Sequence, residues 1–245
     1  MRIASGSRAV RNGNFDGVRR LLLRHGGKEY QRADDQHDND DQNCNSWHAR
    51  AFAERDGRCI ALPVRDLTKR LDRPVVLVGL MGVGKSTVGR RLAKRLGLPF
   101  VDSDSEIEDA VGLPAGELFE RYGEADYRDG ERRLVARLIE GEIRVIATGG
   151  GVFVDPRTRQ LLKERAITVW LDAPIDVLAV RTSRRDTRPL LKNGDPRDAL
   201  ERIAKLEREA YAEADLHVKS GEGAHKEVVD AIVAALESHL AGKAA

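Results

Sequence analysis

The stretch that most constrains the fold of this chain is Gly79-Leu80-Met81-Gly82-Val83-Gly84-Lys85-Ser86. It matches the phosphate-binding pattern G-x-x-x-x-G-K-[S/T] without a gap. The apolar run at 75–78 predicts a buried strand before it, and the apolar spacing over 85–96 predicts a helix after it. In that setting glycines let backbone N–H groups surround an anion, and the helix N-terminus adds a partial positive charge. The alternative is a chance match in a glycine-containing turn.

The motif predicts how a nucleoside triphosphate would be held. Lys85 would reach the β- and γ-phosphates, and the Ser86 hydroxyl would bind a magnesium ion. The motif leaves open which molecule receives the phosphate. The residues predicted to bind ATP here are Gly82, Val83, Gly84, Lys85, Ser86 and Thr87.

Charge and composition exclude several classes of protein. The 42 basic and 40 acidic residues give a net charge of +2, which makes no general case for binding nucleic acid or a membrane surface. Crossing a bilayer needs about 20 consecutive apolar residues, and no run approaches that length. The two cysteines, Cys44 and Cys59, form no disulfide framework. We therefore expect a cytoplasmic protein, acting as a monomer on small molecules.

Residues 1–72 differ in composition from the rest of the chain. The first 33 residues contain eight Arg or Lys, and residues 34–41 contain five aspartates. Polar segments with blocks of like charge bury too little apolar surface to offset their chain entropy. We predict a disordered N-terminal extension. Two alternatives stay open, a tail created by a start codon placed too far upstream and a partner-binding segment.

Residues 73–241 are predicted to form one α/β domain. Apolar runs near 75–78, 99–101, 143–147, 167–171 and 216–218 alternate with helical patterns, which favours a parallel sheet with helices on both faces. Ligands bind beyond the carboxyl ends of such strands. The segment 183–196 is rich in charge, Gly and Pro and is expected to form a mobile lid.

Two polar or glycine clusters follow predicted strands. If Asp102 and Asp104 continue an extended strand, both side chains lie on one face, where they could meet metal and substrate. The alternative is that Asp102-Ser103-Asp104 is a turn and helix-cap sequence. Ser105 is a further candidate to cap the helix that follows. The second cluster, 149–151, is three consecutive glycines whose bare backbone suits close approach of a small ligand. The alternative there is a tight turn.

Two arginines are further candidates. Arg128 could bind an anion, or it could pair with Glu124 or Glu131 on its own helix. Arg188 lies in the predicted lid, where it could reach a γ-phosphate or remain solvated.

These motifs together resemble bacterial shikimate kinases in order and approximate spacing, over about residues 73–240. They are Gly79–Thr87, Asp102–Asp104, Gly123–Arg128, Gly149–Gly151 and Arg188–Leu191. The resemblance implies a three-layer P-loop kinase fold with a five-stranded parallel sheet in order 2-3-1-4-5 and a mobile lid. It also implies transfer of the γ-phosphate of ATP to the 3-hydroxyl of shikimate, a step towards chorismate and the aromatic amino acids.

The resemblance further implies roles on the nucleotide side. Ser86 is similar to the direct magnesium ligand and Asp102 to the residue that holds the metal through water. Arg181 resembles the arginine that stacks on adenine, and Arg188 the lid arginine that reaches the phosphates. With Lys85, these groups would supply the charge stabilisation on which phosphoryl transfer depends.

On the acceptor side, Asp104 resembles the carboxylate that binds the shikimate ring hydroxyls and orients or deprotonates the attacking one. Arg128 resembles the arginine that pairs with the shikimate carboxylate. Gly150 resembles a backbone hydrogen-bond donor to the substrate. The rival interpretations are another small-molecule kinase of this fold, such as a gluconate kinase, and a nucleotide-binding regulator without kinase activity.

One departure from the family pattern concerns a second substrate arginine, usually found four residues before a tyrosine as R-x-P-x-Y. Here Glu207 occupies that position, Arg208 follows it, and Glu209 stands in place of the proline of the pattern. One helical step rotates a side chain by about 100°. Either Arg208 still reaches the substrate, and it is retained as a candidate, or Arg128 alone binds the carboxylate.

Overall fold

The computed structural model describes residues 64–183, 195–221 and 223–242, in which nine helices and five strands occur. The two cysteines and most of the predicted extension 1–72 lie outside the described residues. The strands are β1 (Val75–Val78), β2 (Phe100–Asp102), β3 (Val145–Ala147), β4 (Ile167–Asp172) and β5 (Leu216–Lys219). The helices are α1 (Val64–Arg70), α2 (Lys85–Leu96), α3 (Ser103–Val111), α4 (Ala115–Tyr122), α5 (Glu124–Ile139), α6 (Pro156–Arg165), α7 (Ile175–Ser183), α8 (Pro196–Tyr211) and α9 (His225–Gly242).

The five strands form one parallel sheet in the order β2-β3-β1-β4-β5. This confirms the order 2-3-1-4-5 that the resemblance implies. Strand β1 is central, and its Val76 pairs with Ile146 of β3 and Thr168 of β4. The loop after β1 therefore leaves the middle of the carboxyl edge, with the ends of β3 and β4 on either side.

Strands β1, β3 and β4 each contribute buried residues to two separate hydrophobic clusters, one on each face of the sheet. Leu77 packs with Leu92 of α2 and Ile232 of α9. Its neighbour Val76 packs on the other face with Val135 of α5. Alternate residues of a strand point to opposite faces, so a parallel strand covered by helices on both sides needs a continuous apolar run. The predicted three-layer arrangement is thus confirmed.

Helix α1 precedes Arg73, where the α/β domain was predicted to begin. Leu67 of this helix is 0% exposed, and Leu71 just after it is 4% exposed. The Thr68 hydroxyl donates to the Leu96 carbonyl at the end of α2 at 2.8 Å. We therefore include α1 in the packed domain. Among the described residues, no helix has the length and apolar character needed to span a membrane.

Candidate active site

The loop between β1 and α2 contains glycines in conformations that other residues rarely adopt. Gly79, Gly82 and Gly84 have φ angles of 133°, 81° and 97°. A Cβ atom on Gly79 would also lie 2.4 Å from the Leu171 carbonyl oxygen in β4. Glycine at these positions lets the loop pass close to the neighbouring strand and turn into α2.

Lys85, the first residue of α2, lies back over this loop. Its Nζ donates to the carbonyl oxygens of Gly79 at 2.7 Å and Leu80 at 3.0 Å, and the residue is only 8% exposed. Ser86 follows it at the exposed start of the helix, and the first turn contains no acidic residue. An ammonium group and a helix N-terminus in one place form a suitable site for phosphate oxygens.

Asp102 and Asp104 do not continue one extended strand, so that interpretation is wrong. Oδ1 of Asp102 accepts a hydrogen bond from the backbone N–H of Asp104 at 3.1 Å and caps α3, which begins at Ser103. The predicted cap at Ser105 is also wrong, because the chain becomes helical directly after Asp102. This cap places Asp104 in the first turn of α3, facing the end of β3.

The three glycines after β3 leave space for charged side chains of the protein itself. A Cβ atom on Gly149 would lie 2.5 Å from Oε1 of Glu131 and 2.6 Å from Oδ1 of Asp104. A Cβ atom on Gly151 would lie 2.5 Å from Cζ of Arg128. Atoms that are not bonded to each other do not approach so closely. The glycines thus bring two carboxyl groups and a guanidinium together against the backbone.

Gly150 connects this cluster to the phosphate loop. A Cβ atom on Gly150 would lie 3.7 Å from the backbone nitrogen of Met81, within ordinary van der Waals contact. The cluster of Asp104, Arg128 and Glu131 around the three glycines is called the acceptor half below, and the phosphate loop with Lys85 is called the nucleotide half. The two halves are therefore adjacent.

Arg128 pairs with both of the helix partners considered from the sequence. Its Nη1 donates to Oε2 of Glu131 at 2.6 Å, and its Nε lies 3.8 Å from Oε1 of Glu124. The side chain is 30% exposed, so the guanidinium remains accessible while its own-helix partner orients it. Arg128 can therefore pair with residues of its own helix and still be part of the site.

Glu131 is a site residue that the sequence analysis treated only as a partner for Arg128. It is 2% exposed. Burial, with a smaller contribution from the charge of Asp104, raises the pKa of Glu131 to about 7, although Arg128 acts in the opposite direction. The sequence signal was present, because Glu131 lies on the helix face of Leu134 and Leu138, where a carboxylate is not expected unless it has partners.

Tyr211, at the end of α8, fixes the position of Glu207 in the acceptor half. Its hydroxyl contacts the Gly150 carbonyl oxygen and lies 3.0 Å from Oε2 of Glu207. Tyr211 is 2% exposed, and burial raises the pKa of its hydroxyl well above the ordinary value. The residue is therefore a neutral donor that links α8 to the three glycines.

Arg208 is not brought to this cluster in the described part of the chain. It is exposed, and its guanidinium carbon lies 5.6 Å from the centroid of the Trp170 ring. The other face of α8 thus carries Glu207 towards Gly150. The register shift noted in the sequence leaves a carboxyl group where the family pattern has an arginine.

Of the two remaining predicted arginines, Arg181 lies beside the phosphate loop. Arg181 of α7 donates to the Gly221 carbonyl at 2.9 Å and reaches the Val83 carbonyl of the phosphate loop at 3.5 Å. Arg188 and most of the predicted lid 183–196 lie outside the described residues, while Ser183 ends α7 and Pro196 begins α8. Arg181 therefore lies beside the loop that would hold ATP.

The chemistry of two predicted ligands, Ser86 after β1 and Asp102 at the end of β2, fits a magnesium ion that also binds phosphate. Ser86 and Asp102 offer a hydroxyl and a carboxylate, the hard ligands that this ion prefers. The described residues contain no group of three or more His, Cys, Asp and Glu side chains able to hold a metal on their own. Such a small protein contribution is typical of a metal bound largely through substrate phosphates and water.

Comparisons with known proteins agree with one another. The family model for shikimate kinase matches residues 81–237. The shikimate kinase of Rhodopseudomonas palustris is 50% identical over 169 residues, which cover 69% of this chain and 83% of that protein. The shikimate kinase of Caulobacter vibrioides is 51% identical over 171 residues, covering 70% and 86%. A solved shikimate kinase from Acinetobacter baumannii in complex with shikimate has a TM-score of 0.66 and 36% identity, covering 68% of this chain and 93% of that one.

Proposed function

Because this chain belongs to the shikimate kinase family, we propose that it transfers the γ-phosphate of ATP to the 3-hydroxyl of shikimate. The products are shikimate 3-phosphate and ADP. The observation that carries the proposal is the packing of Asp104, Arg128 and Glu131 around the three glycines, directly beside the phosphate loop. An anionic acceptor with several hydroxyl groups needs both a guanidinium and a carboxylate, and this cluster supplies them.

In the proposed reaction, the oxygen of the acceptor hydroxyl forms a bond to the γ-phosphorus while the bond from that phosphorus to the β-γ bridging oxygen breaks. Asp104 accepts the hydroxyl proton or orients the hydroxyl for attack. Arg128 binds the acceptor carboxylate and sets the direction in which the ring faces the phosphate. Positioning of this kind contributes much of the rate in phosphoryl transfer.

Lys85 and the N-terminus of α2 would bind the phosphates and stabilise the charge of the transferred group. The amide groups of residues 82–87 would surround the phosphate chain, with Arg181 on the adenine side. We propose that Arg188 approaches the phosphates from the lid. A magnesium ion, held by Ser86 and through water by Asp102, would supply further charge neutralisation when bound.

The test is an ADP-release assay with shikimate, quinate and gluconate as acceptors. We expect turnover with shikimate. Turnover with gluconate and none with shikimate would refute the proposal in favour of another kinase of the fold, and ATP binding without any turnover would favour a regulator. The same purified chain would show in solution whether it acts as a monomer, and cell fractionation would test the cytoplasmic location, which we also propose.

A further inference from the structure

Glu207 enters the acceptor half from α8. Its Oε2 lies 3.0 Å from the Tyr211 hydroxyl, which also contacts the Gly150 carbonyl oxygen. The next glycine, Gly151, is the one against which the Arg128 guanidinium packs. The Glu207 carboxyl group is therefore held over the same backbone segment as the arginine that would bind the acceptor.

The charge of Glu207 acts on the cations of the site. Burial is the larger effect and raises the pKa of Glu207, while Arg128 and Lys85 lower it through their charges. The geometry agrees with this, because Glu207 is held to Gly150 through Tyr211 and Arg128 packs on the next residue, Gly151. Glu207 thus adds a carboxyl group to a site in which Asp104 and Glu131 already lie against Gly149 and Arg128 lies against Gly151.

We infer that Glu207 determines acceptor affinity and selectivity, because its carboxyl group, held over Gly150 through Tyr211, repels the carboxylate of an acceptor bound to Arg128; this inference rests on the proposed function. Arg128 already donates to Glu131 at 2.6 Å. An incoming carboxylate must therefore bind a guanidinium that already pairs with Glu131, in the presence of the Glu207 carboxyl group held at Gly150. Like charges held close together oppose binding, and an acceptor without a carboxylate avoids this cost.

The helix register explains why the negative charge faces the site. Glu207 and Arg208 are adjacent in α8, and adjacent helical positions differ by about 100° in direction. Arg208 is directed to the ring of Trp170, at 5.6 Å from its centroid, and does not offset the charge at Gly150. The order of these two residues in the chain thus decides whether α8 presents a negative or a positive charge at Gly150.

The experiment compares two acceptors in the variant Glu207→Gln, which keeps the shape of the side chain and a partner for Tyr211 but removes the charge. Steady-state kinetics with ATP are measured for shikimate and for its methyl ester, which lacks the negative charge. We expect the KM for shikimate to fall about threefold to tenfold while the KM for the ester changes little. Glu209→Gln, an exposed change on the same helix, should alter neither KM.

An unchanged or increased KM for shikimate, or an equal decrease for both acceptors, would overturn the inference. Absence of shikimate turnover in the unmodified protein would instead overturn the proposed function. If Glu207→Gln does not fold, as judged by its thermal unfolding, Glu207→Arg serves in its place. That variant should lower the KM for shikimate and leave the KM for the ester unchanged, and any other pattern would also overturn the inference.

Discussion

The guanidinium of Arg128 packs directly on the backbone of Gly151, at the place where a side chain at residue 151 would begin. A Cβ atom there would lie 2.5 Å from Cζ and from Nη1 of the arginine. Arg128 is in α5, and Gly151 follows β3, so the contact joins two elements that are adjacent through tertiary packing. The position of the guanidinium therefore depends on the absence of a methyl group.

Gly151→Ala should displace Arg128 and weaken acceptor binding. We expect the KM for shikimate to rise at least about tenfold, because the charged hydrogen bonds of a misplaced guanidinium are lost, while the KM for ATP changes little. Steady-state kinetics with each substrate varied would measure this. The control is Gly130→Ala in α5, where nothing lies within 4 Å of the added carbon. A normal KM in a folded Gly151→Ala protein would mean that Arg128 can move without consequence.

Arg128→Ala and Arg208→Ala should separate the two candidate substrate arginines. The first removes a guanidinium from the acceptor half, and we expect the KM for shikimate to rise at least about 30-fold. The second removes an exposed side chain over Trp170, so the KM should stay within about twofold. The comparison uses shikimate saturation curves at fixed ATP. A large effect of Arg208→Ala would show that α8 presents a different face when the substrate is bound.

Glu131 should make stability fall as pH rises through the neutral range. Burial raises its pKa from 4.5 to about 7, so between these values the folded state holds a proton that the unfolded state has lost. The favourable contribution is complete below about pH 4.5 and is lost as the pH passes about 7, a change of up to about 3 kcal/mol. Urea unfolding at pH 5 and pH 8 would measure it.

Glu131→Gln should remove this part of the pH dependence, so the unmodified protein should lose stability relative to the variant between pH 5 and pH 8. Glu140→Gln, at the exposed end of α5, is the control and should behave like the unmodified protein. If the free energy of unfolding changes equally with pH in the unmodified protein and in Glu131→Gln, Glu131 does not titrate in this range.

Lys85→Ala should abolish most of the activity while the fold is kept. The ammonium group donates to the loop carbonyl oxygens of Gly79 and Leu80, and in the proposed reaction it would stabilise the transferred phosphate. Loss of one such contact in a transition state costs at least about 100-fold in kcat. Lys94→Ala, near the exposed end of the same helix, is the comparison. Near-normal turnover by Lys85→Ala would remove Lys85 from the mechanism.

Much of the fold could be predicted because it depends on local patterns. The apolar runs at β1 and β4 are continuous since both faces of each strand are buried, and the motif 79–86 requires the strand, loop and helix that surround it. The order of the strands followed from the family resemblance and is confirmed. The start of α3 was not predicted, because capping by Asp102 and capping by Ser105 are both compatible with the local sequence.

The sequence by itself determined which chemical groups this protein has for the site and near which strand ends they lie. Tertiary structure alone decided which of them meet. The spacing of three residues predicts that Glu131 pairs with Arg128. The burial of Glu131 beside Asp104, however, depends on how α5 packs on the sheet. In the same way, Glu207 and Arg208 are equivalent neighbours in the sequence. The rotation of α8, set by the buried Tyr211, directs the carboxyl group to Gly150 and the guanidinium to Trp170.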